Sequence, residues 1–86
     1  MCIRDRRYAL LIKRLEAHPA MDPESLEMLY RGAAAEVEVK LVDLAQLTRV
    51  ALTGKAASPP IFEVMSILGK AETLARLQAA RARVSA

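Results

Sequence analysis

Eighty-six residues suffice for one domain and exclude a second, because globular domains usually run to about 100–150 residues. Hydrophobic residues make up 53% of the chain, aromatics 3%, and Gly plus Pro number seven, which excludes a disordered tail and favours helix over sheet. The net charge of +3 is uneven: residues 1–43 carry seven cations against eight acids and residues 44–86 six against two, so an anionic partner is expected on the C-terminal half. The lone Cys2 excludes an internal disulfide, and Cys2 with the lone His18 is too few ligands for zinc. His18, beside Pro19, is expected in a solvated loop. No apolar run approaches the roughly 18–20 residues that cross a bilayer and no signal peptide opens the chain, so a cytoplasmic protein without a membrane partner is expected.

Tyr8, Leu11, Ile12 and Leu15 recur at helical spacing and predict a first helix over about residues 7–17, ended by His18-Pro19. Asp22-Pro23-Glu24 reads as a helix start, with Asp22 as N-cap, and the stripe Leu26, Leu29, Tyr30, Ala33, Val37 predicts a second helix over about residues 23–36. Residues 37–41 alternate like a strand, but such a strand has no partner for its backbone, so a short connection is predicted. A third helix over about residues 40–53 follows, with Leu41, Leu44, Ala45, Thr48 and Leu52 inward and Gly54 as its left-handed stop. Ser58 then caps a fourth helix that starts at Pro59, buries Ile61, Val64, Met65 and Leu68, and stops at Gly69. A fifth runs from about Lys70 to Val84, with Leu74, Leu77, Ala80 and Val84 on one side. The predicted fold is all-α, a small bundle of about five short helices. Leu47, Val50 and Ile67 make helices three and four apolar nearly all round, so further chain or a partner is expected to cover them.

The series from Arg49 to Thr53-Gly54, Ser58-Pro59-Pro60-Ile61-Phe62-Glu63, Leu68-Gly69-Lys70 and Leu74-Ala75-Arg76-Leu77 resembles, in order and spacing, the C-terminal end of bacterial glutamyl-tRNA synthetases. The resemblance covers about residues 22–83. It implies the distal part of the all-helical anticodon-binding region of a class I aminoacyl-tRNA synthetase, with the anticodon loop of a glutamate-accepting tRNA and the remainder of the synthetase chain as partners. It also implies that Arg49 contacts the middle anticodon base and that the turn holding Ser58, Pro59 and Ile61 holds the first. The sequence departs from the family at Leu47, where relatives usually have proline, at Thr48, where they have leucine, and at Glu38 and Val42, where they have small, glycine-like residues. Residues 1–6 do not match, look like translated sequencing adapter, and are expected to be a non-native or disordered tail before a partial helical domain over 7–84.

The chemistry fits this implication. An anticodon is single-stranded, so its bases can be splayed out and read at their Watson–Crick edges. Arg49 lies about 80° round helix three from the apolar stripe, at the margin between core and solvent, where its guanidinium can reach a base. Ser58-Pro59-Pro60 is a pre-ordered turn, and Ile61 offers an apolar surface to a base face. Lys55, Lys70 and Arg76 are candidate phosphate contacts, which position without reading sequence. Phe62 is expected in the core, and Arg81 and Arg83 to complement the last turn's dipole.

The chain lacks the nucleotide-binding signatures of class I aminoacylation, and no phosphate loop or paired-carboxylate site replaces them. By itself it is expected to be inactive and without a cofactor, with ATP and magnesium handled by a catalytic domain elsewhere in a glutamate–tRNA ligase that serves translation. A helical protein-interaction module with no RNA role is the alternative. A DNA-reading helix-turn-helix is disfavoured, since helix three would present Leu47, Val50 and Asp43 to base edges.

Overall fold

The computed structural model of the chain describes residues 3–54 and 60–85. Four helices follow one another, α1 (Ile3–Ala17), α2 (Pro23–Glu36), α3 (Leu41–Thr53) and α4 (Ile61–Ser85). Among the described residues there is no strand, and no helix is long and apolar enough to cross a membrane. The helices number four and not the expected five because the last two run together as α4. Gly69 takes φ 84° and ψ 166° inside α4, a conformation essentially reserved for glycine, so α4 is two helical stretches meeting at a kink where the sequence places the stop.

Each boundary has a local cause. The Asp22 carboxylate accepts the Ser25 N–H at 3.0 Å and starts α2 where its sequence places it. At the other end, Val39 N–H donates to the Ala34 carbonyl (3.0 Å) and Glu38 N–H to that of Ala35 (3.3 Å). With Val39 packed on the core, this is a Schellman stop, and it replaces the strand that residues 37–41 imitate. Glu38 carries the left-handed turn at φ 56°, one of the positions where the resembling family has a small residue. α3 begins with Asp43 accepting the Lys40 N–H (3.2 Å) and ends at Gly54, whose φ is 77° and whose N–H donates to Val50 (2.9 Å).

The predicted stripes converge on one core. Tyr8, Leu11 and Leu15 of α1, Leu26, Tyr30 and Ala33 of α2, Leu44 and Leu52 of α3, and Ile61, Met65, Leu77 and Ala80 of α4 are all buried. α4 packs against each of the other three helices, most extensively against α1. The second apolar faces stay open: Ile67 is 85% exposed and Val50 42%.

α1 starts four residues earlier than its apolar spacing indicates and takes in residues 3–6, which were expected as a tail. The reason is tertiary, because Asp5 is buried and its Oδ1 accepts the Arg81 Nε–H at 2.8 Å. His18, expected in a solvated loop, is half-buried in the loop between α1 and α2, with its Nε2 2.6 Å from the Ser25 hydroxyl. Cys2 lies outside the described residues.

The left-handed turn at Glu38 yields a stability prediction. A side chain there costs roughly 1–2 kcal/mol, while glycine costs about 0.5–1 kcal/mol in unfolded-chain entropy. Glu38→Gly is expected to stabilise the chain by about 0.5–1 kcal/mol, read as a higher urea midpoint at unchanged slope.

Candidate nucleic-acid interface

Successive residues of α3 step by about 100°, so its exposed ridge has two flanks. On one flank Leu41, Val42, Ala45 and Arg49 face Pro60, Ile61 and Phe62 at the start of α4, enclosing a cleft of about 250 Å³. Pro60 makes that start: its carbonyl accepts the N–H groups of Glu63 and Val64, both at 3.2 Å. Ile61 is the first helical residue of α4 among the described residues. Ser58 and Pro59 lie outside the described residues, as does Lys55.

A buried polar contact holds the two walls of this cleft. The Tyr30 hydroxyl of α2 lies 2.6 Å from Thr48 Oγ1 on α3, and that hydroxyl also donates to the Leu44 carbonyl at 3.1 Å. The Tyr30 ring meets Phe62 edge to face, with centroids 5.3 Å apart and planes at 71°. Burial pushes the Tyr30 phenol well above its ordinary range, against which the Thr48 hydrogen bond acts. Phe62 is thus packed on the core, as expected, and is also a wall of the cleft.

Arg49 is half-buried, at the margin its helical position implies. Its Nε is shielded from solvent with no hydrogen-bond partner among the described residues. A buried donor left unpaired costs roughly 1–3 kcal/mol, so an acceptor from a ligand or a water is favoured at this position.

The sequence model of a family described as the anticodon binding domain matches residues 6–81. The chain belongs to that family. Similar proteins include glutamate–tRNA ligase 2 of Rhodospirillum rubrum, 51% identical over 73 residues, which are 85% of this chain and 16% of that protein. Glutamate–tRNA ligase 1 of Beijerinckia indica is 47% identical over 70 residues, 81% of this chain and 15% of that protein. The glutamate–tRNA ligase of Thermus thermophilus is 46% identical over 72 residues, 84% and 15% respectively. The chain thus spans about 15% of the length of these relatives.

Within this anticodon-binding-domain chain, some expected site residues meet and others are used elsewhere. Arg49 and Ile61 line the same cleft, but the Ile61 side chain is 1% exposed and belongs to the core. It offers no apolar face to a base, and a contact from this residue would have to use its backbone. Lys70 is no free phosphate ligand: just past the kink, its Nζ donates to the His18 carbonyl and ties α4 to the loop between α1 and α2. Arg76 donates through Nη1 to the Leu52 carbonyl (2.7 Å) at the end of α3 and through Nε to Glu72 (3.2 Å). Both serve as tertiary ties because last-turn and loop carbonyls lack intrahelical donors and draw a cation.

On the other flank of α3 a second cleft, of about 340 Å³, is lined by Arg4, Arg7 and Arg83 with Tyr8, Asp43, Gln46 and Val50. Sequence reasoning missed it. Arg4 had been assigned to a tail, and only the three-residue spacing of Arg4 and Arg7, which shares a helix face, signalled it.

The Tyr30–Thr48 contact is asymmetric. In Tyr30→Phe, Thr48 still donates to Leu44, whereas Thr48→Val strands a fully buried phenol. We expect about 1 kcal/mol lost for Tyr30→Phe and 2 to 3 kcal/mol for Thr48→Val, with the double variant losing less than the sum. Thermal and urea unfolding of the three variants measures this.

Proposed function

We propose that this chain reads the anticodon of a glutamate-accepting tRNA as part of a glutamate–tRNA ligase, whose remaining length handles ATP, magnesium and glutamate. The observation that carries the reading is Arg49 on the wall of a cleft, its buried Nε without a partner among the described residues, in a chain of the anticodon-binding-domain family. The similarity to glutamate–tRNA ligases supports a glutamate-accepting tRNA as the partner.

In this reading the Arg49 guanidinium takes the middle base of the anticodon. Its planar donors suit the acceptors on a splayed base edge. The turn from Ser58 through Pro59 to Ile61 takes the first base, with Ile61 acting through its backbone because its side chain is held in the core. Pro59 and Pro60 lack N–H groups and have a fixed φ, so ordering this turn costs little entropy on binding. The isolated chain carries no aminoacylation chemistry; its contribution is recognition energy for a reaction completed elsewhere in the ligase.

Titration of the chain with anticodon stem-loop RNA tests this. Binding is expected to weaken with salt, and Arg49→Ala to cost about 1–3 kcal/mol against the cognate loop while flattening the preference for the cognate middle base. Equal losses for cognate and altered loops would remove the assignment of Arg49. Absent or salt-independent binding by the unaltered chain would favour a protein-interaction module.

A further inference from the structure

From the arginine-lined cleft on the far flank of α3 we infer a seat for the RNA backbone, distinct from the cleft that holds Arg49. Arg7 of α1 and Arg83 in the last turn of α4 line this seat, with Arg4 in the first turn of α1 beside them; Arg4 and Arg83 are exposed and Arg7 is half-buried. Among the described residues none of the three has a hydrogen bond or an ion pair, although Arg14, Arg31, Arg76 and Arg81 all pair with carboxylates. Both Arg4 and Arg83 lie close enough to Tyr8 for their charges to act on its phenol, which burial pushes upward and they pull down. The carboxylate lining this cleft is Asp43, and it already accepts the Lys40 N–H at the start of α3. Three arginines lining one cleft beside the Asp43 carboxylate favour an anion there, and a guanidinium fork matches two phosphate oxygens.

The choice of a polynucleotide over a small anion follows from position and rests on the anticodon-reading proposal. Val42, Ala45 and Arg49 of α3 line one cleft, and Asp43, Gln46, Leu47 and Val50 of the same helix line the other. Only the width of one helix, about 10–12 Å with side chains, separates them. A strand laid over the exposed Gln46 can therefore place a base against Arg49 while its phosphates lie in the arginine cleft. The exposed Val50 and half-buried Val84 at the cleft edge give sugars an apolar floor. This seat replaces Lys70 and Arg76 as the backbone contact, since both are engaged in holding the fold.

The test uses the 86-residue chain, stem-loop RNA and a salt series. Arg7→Gln and Arg83→Gln are each expected to reduce the log–log salt slope by about 0.7, and the pair by about 1.4, with equal losses for cognate and altered anticodons. Arg7→Lys/Arg83→Lys should restore the slope. Lys13→Gln removes the same charge from an exposed position about 120° round α1 from Arg7 and is expected to leave the slope unchanged. The inference is overturned if the double glutamine variant matches the unaltered chain, if Lys13→Gln lowers the slope equally, or if polyglutamate competes as strongly as the RNA. Loss of base discrimination in Arg49→Ala with no effect at Arg7 and Arg83 overturns the backbone seat alone. The converse pattern overturns the Arg49 reading and leaves the seat standing. No salt-dependent binding by the unaltered chain overturns both.

Discussion

The hydroxyls of Tyr30 and Thr48, 2.6 Å apart and closed off from solvent, fix where α3 sits against α2. Because the Tyr30 ring also meets Phe62, the same side chain sets where α4 begins relative to α3. The cleft between Arg49 and the 60–62 corner is the space those two contacts leave. An apolar pair at these positions would bury as much surface, but it would permit sliding, since hydrophobic contact has no preferred direction. A buried hydrogen bond has one, and slipping out of register would strand a phenol. The contact therefore adds modest net stability but strongly specifies the spacing of the site.

The fate of the cations follows from what lies within reach of each. Lys70 stands just after the Gly69 kink and finds the His18 carbonyl. Arg76 finds the Leu52 carbonyl in the last turn of α3, and Arg81 finds buried Asp5. Each of these oxygen atoms lies in a partly enclosed place, and an ionised partner is the stronger kind of hydrogen bond. Among the described residues, Arg7, Arg83 and the Arg49 Nε have no such partner. What makes Lys70, Arg76 and Arg81 structural is thus an oxygen atom within reach of each and not their place in the sequence.

That distinction also separates what can be read from the amino acids from what cannot. Asp22-Pro23, Gly54 and the four-residue apolar stripes act within one or two turns, and the bounds of α2 and the end of α3 follow from them. The 100° step sufficed to place Arg49 at the core margin. Gly69 was legible as a non-helical residue, but whether it ends a helix or bends one depends on ties made elsewhere, and Lys70 anchors the bend from 52 residues away. The start of α1 depends on Asp5 meeting Arg81 across 76 residues, which no local pattern records, and the arginine cleft went unseen for the same reason. Ile61 fits either a core or a base-facing role by composition, and only packing decides between them. Thr48 sits in an apolar stripe, where its hydroxyl reads as a tolerated imperfection until Tyr30 is found opposite it.

Both clefts share α3, and α3 is held at both ends. Its first turn is fixed by Asp43 on Lys40 and by the Schellman turn that delivers the chain to it, and its last turn by Gly54 and by Arg76 on Leu52. Between them, Thr48 pins the middle. A helix clamped at three points loses little further freedom when a ligand is laid across it, so contacts on its two flanks add without a fresh ordering cost. Phosphate contacts act on every sequence alike, whereas in the proposed reading the guanidinium of Arg49 acts on one base, and discrimination depends on base contacts alone. In that reading, separating the two functions by the width of a helix lets affinity come from Arg7 and Arg83 while the middle base is left to Arg49, whose position the Tyr30–Thr48 bond dictates.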